Sequence, residues 1–420
     1  MFQKTVLDNG LRILSETTPQ FSSVSVFVMV GAGSRYESID LWGASHFLEH
    51  MLFKGTLKYP TPKEISQCVE GVGGILNAAT DRESTIYWCK VERSFFRRGA
   101  DLLADMVLNP LLDPGEMEKE RGVVLEELNM VNDSPDSKVD TLIDEILWPN
   151  QPLGREVAGS KESIQALTRE ALYIYLKQQY VPSNIVISVA GNVSHGEVVD
   201  VFGQALSAWP NTSPLSWHPV DVQQPMSRLK VEFRRTEQAY LCIGLPGLAA
   251  GHPDRYALDL LSVILGEGMS SRLFVELREN LGLVYEINSA VSHYRDCGSL
   301  VVYCGVDPHR VDLAVEAILN ELKLIQDGLV EEELTRARDL SKGRLMLGME
   351  DTRAIAGWLG GQELLTGRVL TTGEVIGHLG SVTLQDLKRV ANELLSQDRI
   401  NIAVVGPYRS DRRFRMALKL

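Results

Sequence analysis

Positive charge is in short supply: 42 Lys and Arg stand against 55 Asp and Glu, leaving the 420-residue chain at a formal net charge of −13. Neutralising phosphates takes a surplus of cations, so this balance speaks against a nucleic-acid partner. No apolar run approaches the roughly 18 residues that a membrane-crossing helix needs. Met1-Phe2-Gln3-Lys4 runs straight into an alternating, strand-like stretch without the basic, apolar and small-residue order of a secretory leader. The expectation is a cytoplasmic protein that needs no membrane. Cysteine is also sparse: Cys68, Cys89, Cys242, Cys297 and Cys304 are odd in number and never stand as C-x-x-C. That pattern signals neither a disulfide framework nor a thiolate metal site, and the five read as reduced core residues.

What is present is enough apolar material for more than one core, with 44% hydrophobic residues over 420 positions. Trp209-Pro210-Asn211-Thr212-Ser213-Pro214, followed by Pro219 and Pro225, suits neither helix nor sheet interior. It divides the chain into an N-terminal domain over 1–212, a linker over 213–228 and a C-terminal domain over 229–420. The halves repeat. Thr168 to Gly191 reads as a Thr-capped helix followed by the strand Ile185–Gly191, and Thr383 to Gly406 repeats that plan 215 positions later, ending in Ile400–Gly406. Strand-like stretches at Val24–Val28 and Ala239–Ile243 stand at the same offset. A repeat this long means two copies of one domain. The element order predicts an α+β protein of two homologous α/β sandwiches, each a mostly antiparallel or mixed sheet packed with helices.

Between Asp40 and Thr56 the pattern reads as a helix, and at about 100° per residue His46, Glu49, His50 and Phe53 share a stripe that Leu48 and Met51 avoid. Two imidazoles one turn apart can grip one ion, and imidazole is a favoured zinc ligand. Glu49 adjoins them, where a carboxylate can take a proton from a water. This H-x-x-E-H order inverts the commoner H-E-x-x-H metallopeptidase pattern. Two histidines on a helix are also compatible with ordinary core or surface positions.

A zinc site needs a further protein ligand. Asp113 and Pro114 signpost a helix start, with Glu116 placed to complete a capping box. On that helix Glu120, Val123, Val124, Glu127 and Leu128 share one face, opposite Glu118, Lys119 and Glu126. Burying a carboxylate costs several kcal/mol unless it is paired or holds a metal. Glu127 as a ligand, with Glu120 orienting a histidine, would explain both residues. Pairing with a nearby Arg or Lys is the plainer explanation.

These residues resemble the pitrilysin/insulinase family of zinc metallopeptidases, most closely the small-subunit branch that includes the mitochondrial processing peptidase and bacterial relatives. The family's third zinc ligand is a Glu about 77 positions beyond the second motif His, which here is Glu127, and a supporting Glu seven positions earlier falls on Glu120. The resemblance implies zinc held by His46, His50 and Glu127, with Glu49 as general base. It likens Gly73-Gly74-Ile75-Leu76-Asn77-Ala78-Ala79-Thr80 to an edge strand on which an extended peptide adds, held at Asn77 and Ala78. It likens the stretch from Gly268 through Arg278 to Tyr285 to a distal element whose Arg and Tyr reach the substrate. Glu267 stands where relatives tend to have Gly.

What the resemblance implies is a zinc endopeptidase that cleaves short or unfolded peptides in a closed chamber. One zinc per chain and a homodimer with shared sites follow from one chain carrying both the metal motif and the Arg/Tyr pair. The competing reading is a non-catalytic scaffold or partner subunit, of which the family has examples. Intact His46, Glu49, His50 and Glu127 favour the enzyme.

Overall fold

The computed structural model describes residues 1–418. Among the described residues, eleven strands form two mixed sheets, as the α+β reading predicts. The first contains β1 (Gln3–Val6), β2 (Arg12–Thr17), β3 (Ser23–Val30), β4 (Ile75–Thr80), β5 (Thr85–Glu92) and β6 (Ile185–Gly191), in the order β1-β2-β6-β3-β5-β4. The second contains β7 (Arg228–Phe233), β8 (Ala239–Gly247), β9 (Val284–His293), β10 (Gly298–Val306) and β11 (Asn401–Gly406), in the order β7-β11-β8-β10-β9. One pair in each sheet, β2 with β6 and β7 with β11, is parallel.

The repeat is written into the register. In the first sheet Val26 lies opposite both Cys89 and Val189. In the second, Leu241 lies opposite Cys304 and Val404, each 215 positions beyond its counterpart. Thr168 and Thr383 cap their helices as expected, accepting from the backbone N–H of Ala171 and Asp386.

The chain divides into two compact units: Met1–Leu128 with Glu156–His218 and Met346–Thr371, and Asn129–Arg155 with Pro219–Leu345 and Thr372 onward. The units are therefore not the contiguous blocks 1–212 and 229–420, because each contains a helix from the opposite half of the sequence. The stretch 207–227 is irregular, as the prolines require, and β7 begins at Arg228, inside the expected linker.

The exchange follows from the strands. Val24, Val26, Val28, Ile185, Ile187 and Val189 face one core, while Phe27, Met29, Val186 and Ala190 on alternate positions face another. A strand apolar on both faces needs two covers. The second cover is the helix Thr352–Thr366, which brings Ile355, Ala356, Leu359 and Leu364 onto that face. Each large side chain buried there contributes about 1.5–3 kcal/mol. Gly360 permits the close approach: a β-carbon there would stand 2.6 Å from Met29 Sδ and 2.9 Å from Ser188 Cβ. In the second unit Val139, Leu142, Ile143, Ile146 and Leu147 of the helix Pro135–Leu147 cover Cys242, Ala403 and Val405. These two helices are themselves counterparts, since a step of 215 carries Ser137 to Thr352.

All five cysteines are buried and free, as expected. Among the described residues no helix is long and apolar enough to cross a membrane.

Candidate metal centre

The motif helix spans Ala44–Leu52, shorter than the expected 40–56. Gly43 turns the chain with φ 94°, a left-handed conformation that glycine adopts without strain. The new helix start is satisfied from one side chain: Gly43 N–H donates to Glu37 Oε2 and Ser45 N–H to Glu37 Oε1, both at 2.7 Å. A carboxylate at a helix N-terminus also complements the helix dipole. Phe47, Leu48, Met51 and Leu52 are buried, which leaves His46, Glu49 and His50 on the partly open face.

The second helix, Pro114–Asp133, starts where Asp113 Oδ1 accepts from the N–H groups of Gly115 (2.8 Å) and Glu116 (3.0 Å). Glu120, Val124 and Leu128 are buried and Glu127 is partly so, while Glu118 and Glu126 are exposed. Val123 departs from the projected face and is exposed, because the face narrows there to the Glu120–Val124–Glu127 line.

The two helices bring His46, His50 and Glu127 together, with one ligand atom from each inside a 4.8 Å group. His50 Nε2 lies 3.4 Å and His46 Nε2 3.7 Å from Glu127 Oε2. Ligands about 2.0–2.1 Å from a tetrahedral zinc stand about 3.4 Å from each other, so the spacing fits that ion. His50 Nδ1 lies 3.1 Å from Glu120 Oε2. A carboxylate only accepts, so Nδ1 carries the proton and Nε2 presents its lone pair to the group. Burial, reinforced by neighbouring His50, pushes the His46 imidazole down to about 4, which keeps it neutral as a ligand must be. Its Nδ1 is buried with no hydrogen-bond partner among the described residues.

Glu120 meets both a histidine and a lysine. Its other oxygen, Oε1, is paired with Lys54 Nζ at 2.7 Å. Helix projection cannot reveal this pair, since Lys54 and Glu120 lie 66 positions apart on separate segments.

Glu49 receives a hydrogen bond from Thr80 Oγ1 at 2.6 Å. Burial pushes the Glu49 carboxyl up from its ordinary range, opposed by the Thr80 hydroxyl and by His50. Thr80 ends β4, an outer strand that among the described residues is bonded only to β5, so its other edge has no strand partner there. Asn77 and Ala78 lie on this strand, and Asn77 Oδ1 accepts from the N–H of Ala78 at 2.8 Å.

Arg278 and Tyr285 belong to the second unit. Arg278 sits in a π-helical turn, Phe274–Asn280, and its guanidinium lies 4.7 Å from the Phe274 ring centre and 4.9 Å from that of Tyr285. Tyr285 is 78% exposed. Glu267 is engaged by Ser262 Oγ (3.0 Å) and Arg344 (2.6 Å).

Two family models match: "Insulinase (Peptidase family M16)" over residues 12–161 and "Peptidase M16 inactive domain" over 166–341. A Bacillus subtilis protein named an uncharacterized zinc protease is 35% identical over 410 residues, covering 97% of this chain and 98% of its own length. A Streptomyces coelicolor protein named in the same way is 34% identical, covering 99% and 91%. Among solved structures, a protease from Helicobacter pylori superposes with a TM-score of 0.91 at 23% identity, covering 96% of this chain and 99% of that one. That likeness concerns the fold. With relatives this similar over almost the whole sequence, the chain belongs to the insulinase family, peptidase family M16.

Proposed function

We propose that the chain is a zinc-dependent endopeptidase acting on short or unfolded peptides, with His46, His50 and Glu127 as zinc ligands. The observation that carries this reading is the convergence of those three side chains beside Glu49, which is itself bonded to the end of an outer strand. The printed names of the relatives, zinc proteases, support it. A zinc ion held there supplies a Lewis acid and makes a water acidic near neutral pH, with a pKa of about 7. Glu120 fixes the His50 ring, and Lys54 balances the charge of Glu120. An extended peptide adds to the outer edge of β4, so that main-chain bonds grip it without regard to sequence. Glu49 takes the proton of the attacking water and returns it to the leaving amine. Arg278 and Tyr285 steady the substrate and the developing oxyanion. Because one chain carries both residue sets, the working form in this reading is a homodimer with two shared sites and a closed chamber that excludes folded proteins.

The test is digestion of a library of unstructured peptides by the zinc-loaded protein, beside Glu49→Gln shown to hold equal zinc. Cleavage should fall by about 10²- to 10⁴-fold in the variant. If the zinc-loaded wild type cuts nothing, the scaffold reading replaces this one.

A further inference from the structure

We propose that Thr80 is a positioning residue for Glu49: its hydroxyl holds one carboxylate oxygen, Oε2, so that the other, Oε1, is the atom that takes up the proton. This rests on Glu49 being the general base. The Thr80 Oγ1 to Glu49 Oε2 distance is 2.6 Å. A hydroxyl has one proton to give, and an ionised carboxylate only accepts, so the direction of this bond is fixed.

The surroundings leave Thr80 no better use for that proton. Its cross-strand neighbour Thr85 lies 3.4 Å away, oxygen to oxygen, and spends its own proton on the carbonyl of Ala32 at 3.0 Å. Behind Thr85, the hydroxyls of Tyr180 and Tyr87 bond each other at 2.9 Å, and both side chains are buried. Of the two acceptors within reach of the Thr80 hydroxyl, Thr85 Oγ1 at 3.4 Å and Glu49 Oε2 at 2.6 Å, the nearer and charged one takes the proton.

The hairpin carrying Thr80 is itself anchored. Asp81 N–H donates to the Ser84 carbonyl at 2.8 Å, and Arg35 N–H donates to the Arg82 carbonyl at 2.9 Å. Arg35 also pairs with Glu83 at 2.6 Å, and both residues are buried. The strand that would receive the peptide and the group that aims the base are thus one rigid piece, and a peptide seated on β4 meets a base already oriented. Preorganisation of this kind acts on the chemical step and leaves ground-state binding alone.

The experiment compares Thr80→Val and Thr80→Ser, both zinc-loaded, on the same peptide library, with zinc affinity measured by chelator competition. Thr80→Val keeps the shape of the side chain and should lower kcat about ten- to hundredfold, the range for a lost hydrogen bond to a charged group. KM and zinc affinity should stay within about twofold, well below that effect. Thr80→Ser should restore most of kcat. A kcat for Thr80→Val equal to wild type, a loss confined to KM, or a Thr80→Ser variant as impaired as Thr80→Val would each overturn the proposal. A crystal structure of Thr80→Val supplies an arm independent of turnover: the Glu49 carboxylate should leave its present position, and an undisplaced carboxylate overturns the inference. Should the wild type cut no peptide, the peptidase reading fails and this structural arm still decides the role of Thr80.

Discussion

The motif helix Ala44–Leu52 has a counterpart in the helix Arg255–Gly266, and the two can be compared position by position. A step of 215 carries His46 to Leu261, Glu49 to Ile264 and His50 to Leu265, all three buried and apolar, and carries Glu127 to Lys342. The central strands keep the same register while the metal-binding face is replaced by core. The fold therefore does not require the chemistry. The polar face of the first helix is a local departure from an otherwise apolar plan, which is what a functional site looks like against its own duplicated scaffold. The match of residues 166–341 to a domain described as inactive agrees with this.

The comparison can be broken from either side. His50→Leu gives the first helix the residue of the second and should lower zinc affinity by more than about 100-fold, the upper end of what even an outer partner of a ligand is worth. Chelator competition measures it, and retained affinity would remove His50 from the ligand set. The reverse change, Leu265→His, should create no zinc site, since the position matching Glu127 is Lys342. It should instead cost about 1–3 kcal/mol for burying an unpaired polar ring, read as a lower urea midpoint. Zinc binding by that variant beyond the wild-type stoichiometry would refute the contrast.

A smaller effect separates the units by pH. His293 Nδ1 faces the Leu248 carbonyl at 2.6 Å and Nε2 faces Asp259 at 2.9 Å. Both partners are acceptors, so full satisfaction needs both ring protons. Burial and neighbouring Arg255 oppose the charge, but Asp259 and the Leu248 carbonyl outweigh them, and the His293 pKa is raised. A raised pKa stabilises the folded state fully below the unfolded value of about 6.5 and loses that contribution as pH rises through the folded value. His293→Gln should flatten this part of the stability profile by up to about 1 kcal/mol, measured by urea unfolding at stepped pH. An unchanged slope above pH 6.5 would dismiss the tie.

Much of this arrangement could be read from the chain. The 215-residue offset lies in plain sequence because the central strands carry no insertions, and the same offset sets their pairing. Helical periodicity found the face shared by His46, Glu49 and His50 and the inward turn of Glu120, since both depend on spacing within one element. Joining Glu127 to the histidines took either the family resemblance or the folded chain. Thr80 on Glu49, Lys54 on Glu120 and Glu37 on the helix start were illegible, because each joins residues from separate segments whose meeting no local period encodes. The motif helix is shorter than its periodicity suggests for a different reason: the left-handed turn at Gly43 starts it at Ala44.

The exchanged helices also set a clock on synthesis. The strand β6 is complete at Gly191, but the helix that covers its second face begins at Thr352, 161 positions later. At ribosomal speeds of about 5–20 residues per second, that gap lasts roughly 8–32 s. Through that interval the face formed by Leu14, Phe27, Met29, Val186 and Ala190 lacks its covering helix. The nascent first half is then a natural client for a chaperone, and a fragment ending at Thr212 should emerge sticky, binding a dye for exposed apolar surface until the peptide Thr352–Thr366 is supplied in trans.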